Sequence, residues 1–134
     1  MTVYLGFDPG RDKCGIAIMD DQQLLTHAVI PADQAPITAL EWCQKYSVSL
    51  VIMGNQTTAK EWQTKLQAVL PPAVAIALVN ERNSTLEARS RYWQMYPPSF
   101  FQRLLPQGMR LPPRPIDDIV AILLVERYLH GNPT

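Results

Sequence analysis

The chain has 134 residues, 47% of them hydrophobic, enough for the core of one domain spanning 1–134 and enough to exclude an intrinsically disordered protein. Its 12 Lys and Arg balance its 12 Asp and Glu, so the overall basic excess that marks many nucleic-acid binders is missing. The charge is nevertheless unevenly spread: between positions 82 and 114, Arg82, Arg89, Arg91, Arg103, Arg110 and Arg114 stand against the single acid Glu87. Cys14 and Cys43 form no C-x-x-C pair and belong to no Cys/His set, so two buried thiols are expected rather than a zinc site. No apolar run approaches a membrane span, and the first residues lack the charged region of a secretion signal. The expected location is therefore the cytoplasm, with no membrane partner.

In chain order, Val3-Tyr4-Leu5-Gly6-Phe7-Asp8 reads as a buried strand ending in a carboxylate, followed by a turn at Pro9 to Lys13. Cys14 to Met19 is a second strand, Asp20 to Gln23 a turn, and Leu24 to Ile30 a third strand, which makes an antiparallel meander. Ile37 to Tyr46 has helical spacing, with Ile37, Leu40, Trp42, Cys43 and Tyr46 compatible with one buried stripe. Leu50 to Met53, stopped by Gly54, has the continuous apolar character of a strand covered on both faces. A second helix is expected over Thr58 to Leu70, with Trp62, Leu66, Val69 and Leu70 inward, and a fifth strand over Val74 to Val79. Ser84 and Glu87 have the spacing of a capping box for a third helix running to about Tyr96. Residues Pro97 to Pro115 read as a proline-rich loop with a short helix at Phe100 to Leu105. Pro115 opens a last helix, closed by Gly131-Asn132-Pro133. This order predicts a mixed five-stranded sheet with helices on both faces.

Three places concentrate carboxylates. Asp8 ends a buried strand, where an acid costs free energy unless a cation or donors satisfy it; an Asx bond in the following turn is the plainer alternative. Glu81 follows the fifth strand, and Asp117 and Asp118 open the last helix. At both places an acid is also favoured by the helix dipole, worth roughly half a kcal/mol. Ligands bind beyond the carboxyl ends of parallel strands in open sheets, so Asp8 and Glu81 are expected at one edge with Asp117 brought over it. Acids that converge there repel one another unless a divalent cation neutralises them, and hard oxygen donors select magnesium or manganese. Two such ions roughly four ångströms apart suit phosphodiester cleavage.

The opening Leu5-Gly6-Phe7-Asp8-Pro9-Gly10, with Gly15 after it, resembles that of the RuvC-like Holliday junction resolvases. Glu81-Arg82-x-Ser84-Thr85-x-Glu87-Ala88-Arg89-Ser90 resembles the D-E-R-x-(S/T)-T segment of the YqgF (RuvX) branch of that superfamily. Ile116-Asp117, Ala121, Ile122-Leu123-Leu124 and Tyr128-Leu129 are similar to its closing helix. The resemblance implies a ribonuclease-H-like fold and a nuclease with Asp8, Glu81 and Asp117 as catalytic and metal-binding carboxylates, Asp118 being a further candidate ligand. The family is described both as junction resolvases and as nucleases that mature the small-subunit ribosomal RNA precursor, so the implied partner is branched DNA or precursor ribosomal RNA. Departures from the pattern are Asn80 where an aspartate usually precedes the glutamate, a Gly54-to-Thr58 segment without a G-x-P turn, and Val120 where resolvases carry a fourth acid.

Arg11 and Lys13 beside Asp8, and Arg82, Arg89 and Arg91 beside Glu81, are the expected phosphate contacts. Trp93 and Tyr96 are expected in the core rather than as a base-stacking platform. Isolated His27 and His130 are assigned no role. Two functions stay open: a metal-dependent endonuclease acting on structured nucleic acid, and a catalytically silent relative that binds nucleic acid or a protein. A nucleotide-binding ATPase of related fold is disfavoured, because it would need a second domain. The oligomeric state is left open.

Overall fold

A computed structural model of the chain describes residues 2–131. Strands β1 (Val3–Asp8), β2 (Lys13–Asp20) and β3 (Leu24–Pro31) form the antiparallel meander. Strands β4 (Leu50–Gly54) and β5 (Ala75–Val79) extend it in parallel with β1, in the order β3-β2-β1-β4-β5. The helices are α1 (Ala35–Tyr46), α2 (Ala59–Val69), α3 (Ser84–Met95), the single-turn α4 (Phe100–Arg103) and α5 (Asp117–Leu129). The mixed five-stranded sheet with helices on both faces is as the sequence predicts. No helix among the described residues is long and apolar enough to cross a membrane.

The period-two alternation of the strands divides the core in two. Leu5 and Phe7, with Cys14, Ile16, Ile18, Val51 and Met53, pack under α1 and α2 through Ala39, Cys43, Trp62 and Leu66. The opposite parity (Tyr4, Ala17, Met19, Ile52 and Val79) packs under α5 and α3. Asp8 shares the parity of Tyr4 and so belongs to the α5 face. Helix α5 lies between the sheet and α3 and touches every strand. All its residues from Asp118 to Val125 are therefore buried, as expected of a helix that is apolar all round.

Several local expectations shift. Ile37 is 61% exposed; the buried stripe of α1 is Ala35, Ala39 and Cys43, whose small size lets the helix sit close to the sheet. Val69 also lies at the surface. Helix α5 begins at Asp117 rather than Pro115, because Ile116 is not helical (φ −117°, ψ 20°). The capping box forms at Ser99 and Gln102 of α4, not at Ser84 and Glu87. Asn83, in the left-handed region (φ 61°), caps α3 without a side-chain bond. Cys14 and Cys43 are free and buried, and burial pushes both thiols up to about 11. The expected stop at Asn132-Pro133 lies outside the described residues.

Candidate active site

Three glycines on the α5 face of the sheet shape the site. Asp8 pairs across the β1–β2 ladder with Gly15. A methyl group on Gly15 would overlap the carbonyl of Asp117, and one on Gly6 would overlap the carbonyl of Ala121, one turn further along α5. The helix backbone thus rests directly on a glycine track, and its first residue is set down beside Asp8. On the other side, Gly54 at the end of β4 leaves the space that the Glu81 carboxylate fills. Asp8, Glu81 and Asp117 line one cleft of about 260 Å³, together with Gln56, Ser84 and Thr85, while Ile116 and Val120 supply apolar wall.

The electrostatics of the cleft are those of acids without enough positive charge. Burial, then the charges of Asp117 and Glu81, push the Asp8 carboxyl up to about 8. Burial also raises Glu81, against the opposing pull of Arg127. Asp117 is raised by burial too, opposed by a hydrogen bond from its own backbone and by Lys13. Among the described residues no side-chain donor bonds to any of the three carboxylates. Among the described residues no group of three acids, imidazoles or thiols forms a ready-made ion cluster. The donor set still fits a hard divalent cation: three carboxylates share one cleft, and two of them raise the third, which is the charge a cation would relieve.

Two positioning residues escaped the sequence. Arg127 of α5 donates to the carbonyls of Asn80 (2.7 Å) and Arg82 (2.8 Å) and to Glu87 Oε1 (2.9 Å), so it clamps the loop that carries Glu81. Gln56 Nε2 donates to the Pro9 carbonyl (2.8 Å), tying the turn after β4 to the turn after Asp8. Neither leaves a local signal, because every partner lies 40 or more positions away along the chain. Asn80 Oδ1 accepts from the Arg82 amide (2.9 Å), an Asx turn that asparagine makes as well as aspartate.

Asp118 departs from its expected place. It is 2% exposed and does not line the cleft. Its Oδ2 lies 2.6 Å from His27 Nδ1, and its Oδ1 accepts from Arg114 (3.1 Å) and from the Ile119 amide (3.0 Å). His27, left without a role in the sequence, is thus a half-buried partner on β3. Asp118→Asn is expected to lower stability by about 1–3 kcal/mol, read from the urea midpoint, because the buried pair is weakened on one side only.

The predicted phosphate contacts divide. Arg11 and Lys13 are exposed beside Asp8, and the Asp12 carboxylate lies 3.8 Å from Arg11. Arg82 and Arg89 are exposed on the α3 side. Arg91 makes a two-point pair with Glu126 (2.8 and 2.9 Å) that fastens α3 to α5, so its guanidinium is engaged there. Tyr92 and Trp93 are core, whereas Tyr96 is 40% exposed and lies under the Arg114 guanidinium (5.4 Å).

No protein-family model and no curated protein sequence matches the chain. Solved structures match it in fold. T. thermophilus RuvC in complex with a Holliday junction substrate superposes with a TM-score of 0.58 at 16% identity, covering 100% of both chains. The nuclease domain of the large terminase subunit gp2 of bacterial virus Sf6 gives 0.50 at 12% identity, over 94% of this chain and 70% of that one. The K428A mutant of that domain, with manganese and beta-thujaplicinol, gives 0.50 at 10% identity, over 60% and 38%. At these identities the likeness is one of fold, and the fold is ribonuclease-H-like.

Proposed function

We propose that the protein is a metal-dependent endonuclease of the RuvC-like type that hydrolyses phosphodiesters in branched or structured nucleic acid, with a Holliday junction as the first candidate substrate and precursor ribosomal RNA as the second. The observation that carries this is the cleft itself, which Asp8, Glu81 and Asp117 line together and where Asp8 is pushed up to about 8 with no side-chain donor among the described residues to relieve it. The Glu81-to-Ser90 segment supports a place in the YqgF branch. The RuvC neighbour's junction substrate and the terminase neighbour's manganese support the same chemistry.

Asp8, Glu81 and Asp117 would hold magnesium or manganese. When bound, the ions supply charge neutralisation at the scissile phosphate and activation of the attacking water. The chain's own groups do the rest. Ser84 and Thr85 line the cleft with hydroxyls able to donate to a phosphate oxygen. Lys13 and Arg11, beside Asp8, and Arg82, beside Glu81, meet flanking phosphates and set the strand's register without reading its sequence. Arg127 and Gln56 hold the two loops, so that the carboxylates are placed before substrate arrives. Asp118 belongs to the frame of α5.

The test is cleavage of labelled four-way DNA junctions and of precursor ribosomal RNA in magnesium or manganese, beside Glu81→Gln and Asp117→Asn. Metal-dependent cleavage by the wild type is expected, with each variant slower by about a hundredfold or more. Binding of either substrate without cleavage in any metal overturns the nuclease and leaves a nucleic-acid-binding relative, a reading that Val120 in the cleft wall favours.

A quieter substitution probes the geometry. A methyl on Gly54 overlaps only the movable Glu81 side chain, so Gly54→Ala is expected to keep the melting temperature within a few degrees. Displacing that carboxylate by about an ångström is expected to slow cleavage about a hundredfold. A melting curve beside a single-turnover rate separates the two effects.

A further inference from the structure

Helices α3 and α5 are joined by an arm, residues 96–116, that holds large apolar side chains out in water. Phe100 and Phe101 of α4 are 71% and 78% exposed, and Leu104, Met109 and Leu111 are as open. The arm is nonetheless ordered by specific bonds. Ser99 and Gln102 close a capping box on α4. Arg110 Nε donates to the carbonyls of Gln102 (2.9 Å) and Leu105 (3.1 Å). Gln107 Nε2 bonds Ser90 Oγ of α3 (3.0 Å), and Arg114 at the return end covers Tyr92 and Tyr96. Apolar groups held exposed by a built frame mark a surface for a partner.

Charge identifies the partner. From Ala88 to Ile116 there are five arginines and no carboxylate. Arg91 and Arg114 are engaged in ion pairs, while Arg103 on α4 and Arg89 on the adjacent face of α3 are exposed. The Phe100 and Phe101 rings stand 5.6 Å apart at 81°, so they present ring surface in two directions. Open aromatic faces beside arginines with no acid among them suit a base with its flanking phosphates. The return end of the arm enters the wall of the carboxylate cleft at Ile116 and Asp117, while its other end leaves α3 at Met95, about 15 Å along that helix from the cleft-lining Ser84 and Thr85.

We propose that this arm is a stacking element for nucleic acid: Phe100 and Phe101 take an unstacked base at a branch point, and Arg103 and Arg89 meet the adjoining phosphates. The inference rests on the reading of the cleft as a nucleic-acid site and adds the structural feature that the protein would select, an exposed base face.

The experiment uses four-way DNA junctions carrying 2-aminopurine either at the branch point or in mid-arm, bound by the full chain with Asp8→Asn so that the DNA stays intact. Binding is expected to change the branch-point fluorescence severalfold and the mid-arm fluorescence little. Adding Phe100→Ala and Phe101→Ala is expected to remove that change and weaken junction binding about ten- to a hundredfold, with affinity for linear duplex unchanged. Both positions are exposed, and an unaltered melting temperature excludes loss of fold as the cause. Phe100→Leu with Phe101→Leu keeps the apolar bulk but removes the ring faces, and is expected to behave like the alanine pair. Leucine variants that bind and respond as the parent does overturn stacking. A shift from dimer to monomer in sedimentation, with the fluorescence response intact, assigns the arm to a second copy of the chain and overturns the proposal. Cleavage of the same junctions by the wild-type protein without any branch-point signal overturns the stacking element alone; failure to bind any nucleic acid overturns it together with the nuclease.

Discussion

Asp8→Asn is expected to make the metal-free protein more stable and to abolish the proposed cleavage, with the stability gain growing as pH rises. The Asp8 carboxyl is pushed up to about 8 in the folded protein by burial and by its two acidic neighbours, whereas in the unfolded chain it titrates near 3.9, as an ordinary aspartate does. Between about pH 4 and pH 8 the native state therefore holds a proton that the unfolded state has released. Stability falls as pH rises wherever the native state binds more protons. Asp8 accordingly costs nothing below about pH 4, and its cost grows through that window to an order of a few kcal/mol at pH 8. Asparagine has no proton to lose, so the variant's curve is expected to flatten over the same range. Denaturant melts at pH 4, 6 and 8, in chelator, read this out directly. A wild-type stability that rose from pH 5 to pH 8 would contradict the electrostatics drawn here.

The same substitution predicts what a cation does. Saturating magnesium or manganese is expected to raise the wild-type melting temperature most at pH 8, because the ion favours the ionised, folded form. Asp8→Asn is expected to lose most of that response along with cleavage. Loss of cleavage together with a gain in stability would mark Asp8 as part of a site arranged for charge rather than for stability.

Gly15→Ala is expected to have the largest structural effect of the Gly→Ala substitutions in this chain. The added carbon would overlap the carbonyl oxygen and carbon of Asp117 and the amide of Asp118, all of them backbone, so no side chain can rotate away. Helix α5 would have to lift from the sheet at the end where Asp117 meets Asp8, and the core around Ile119 to Val125 would open with it. A loss of about 3 kcal/mol or more is expected, corresponding to roughly 10 °C or more in melting temperature for a domain of this size. Gly108→Ala is the control, since a methyl there meets nothing within 4 Å. If Gly15→Ala melted with the wild type, the glycine track would not be what seats α5.

The sequence by itself determined the order of the elements and the mixed sheet. Strand periodicity and the breaks at Pro9-Gly10, Gly54 and Pro71-Pro72 are local, and local signals suffice for them. It also determined that Asp8 ends a strand and that Glu81 follows another, which places both at one edge once parallel pairing is granted. Which acid of the Asp117–Asp118 pair enters the cleft was decided only in three dimensions. Helix α5 is buried on every side from Asp118 to Val125, so its apolar pattern does not say which face meets the sheet. Gly6 and Gly15 set that face by letting the helix backbone come down on the strands. The His27–Asp118 pair, the Arg91–Glu126 pair and the Arg127 clamp join residues 35 to 91 positions apart. Exposed arginines and engaged ones look alike in a sequence; which is which depends on where the partner carboxylate or carbonyl arrives when the helices dock, and that is set by packing of the whole domain rather than by any neighbouring residue.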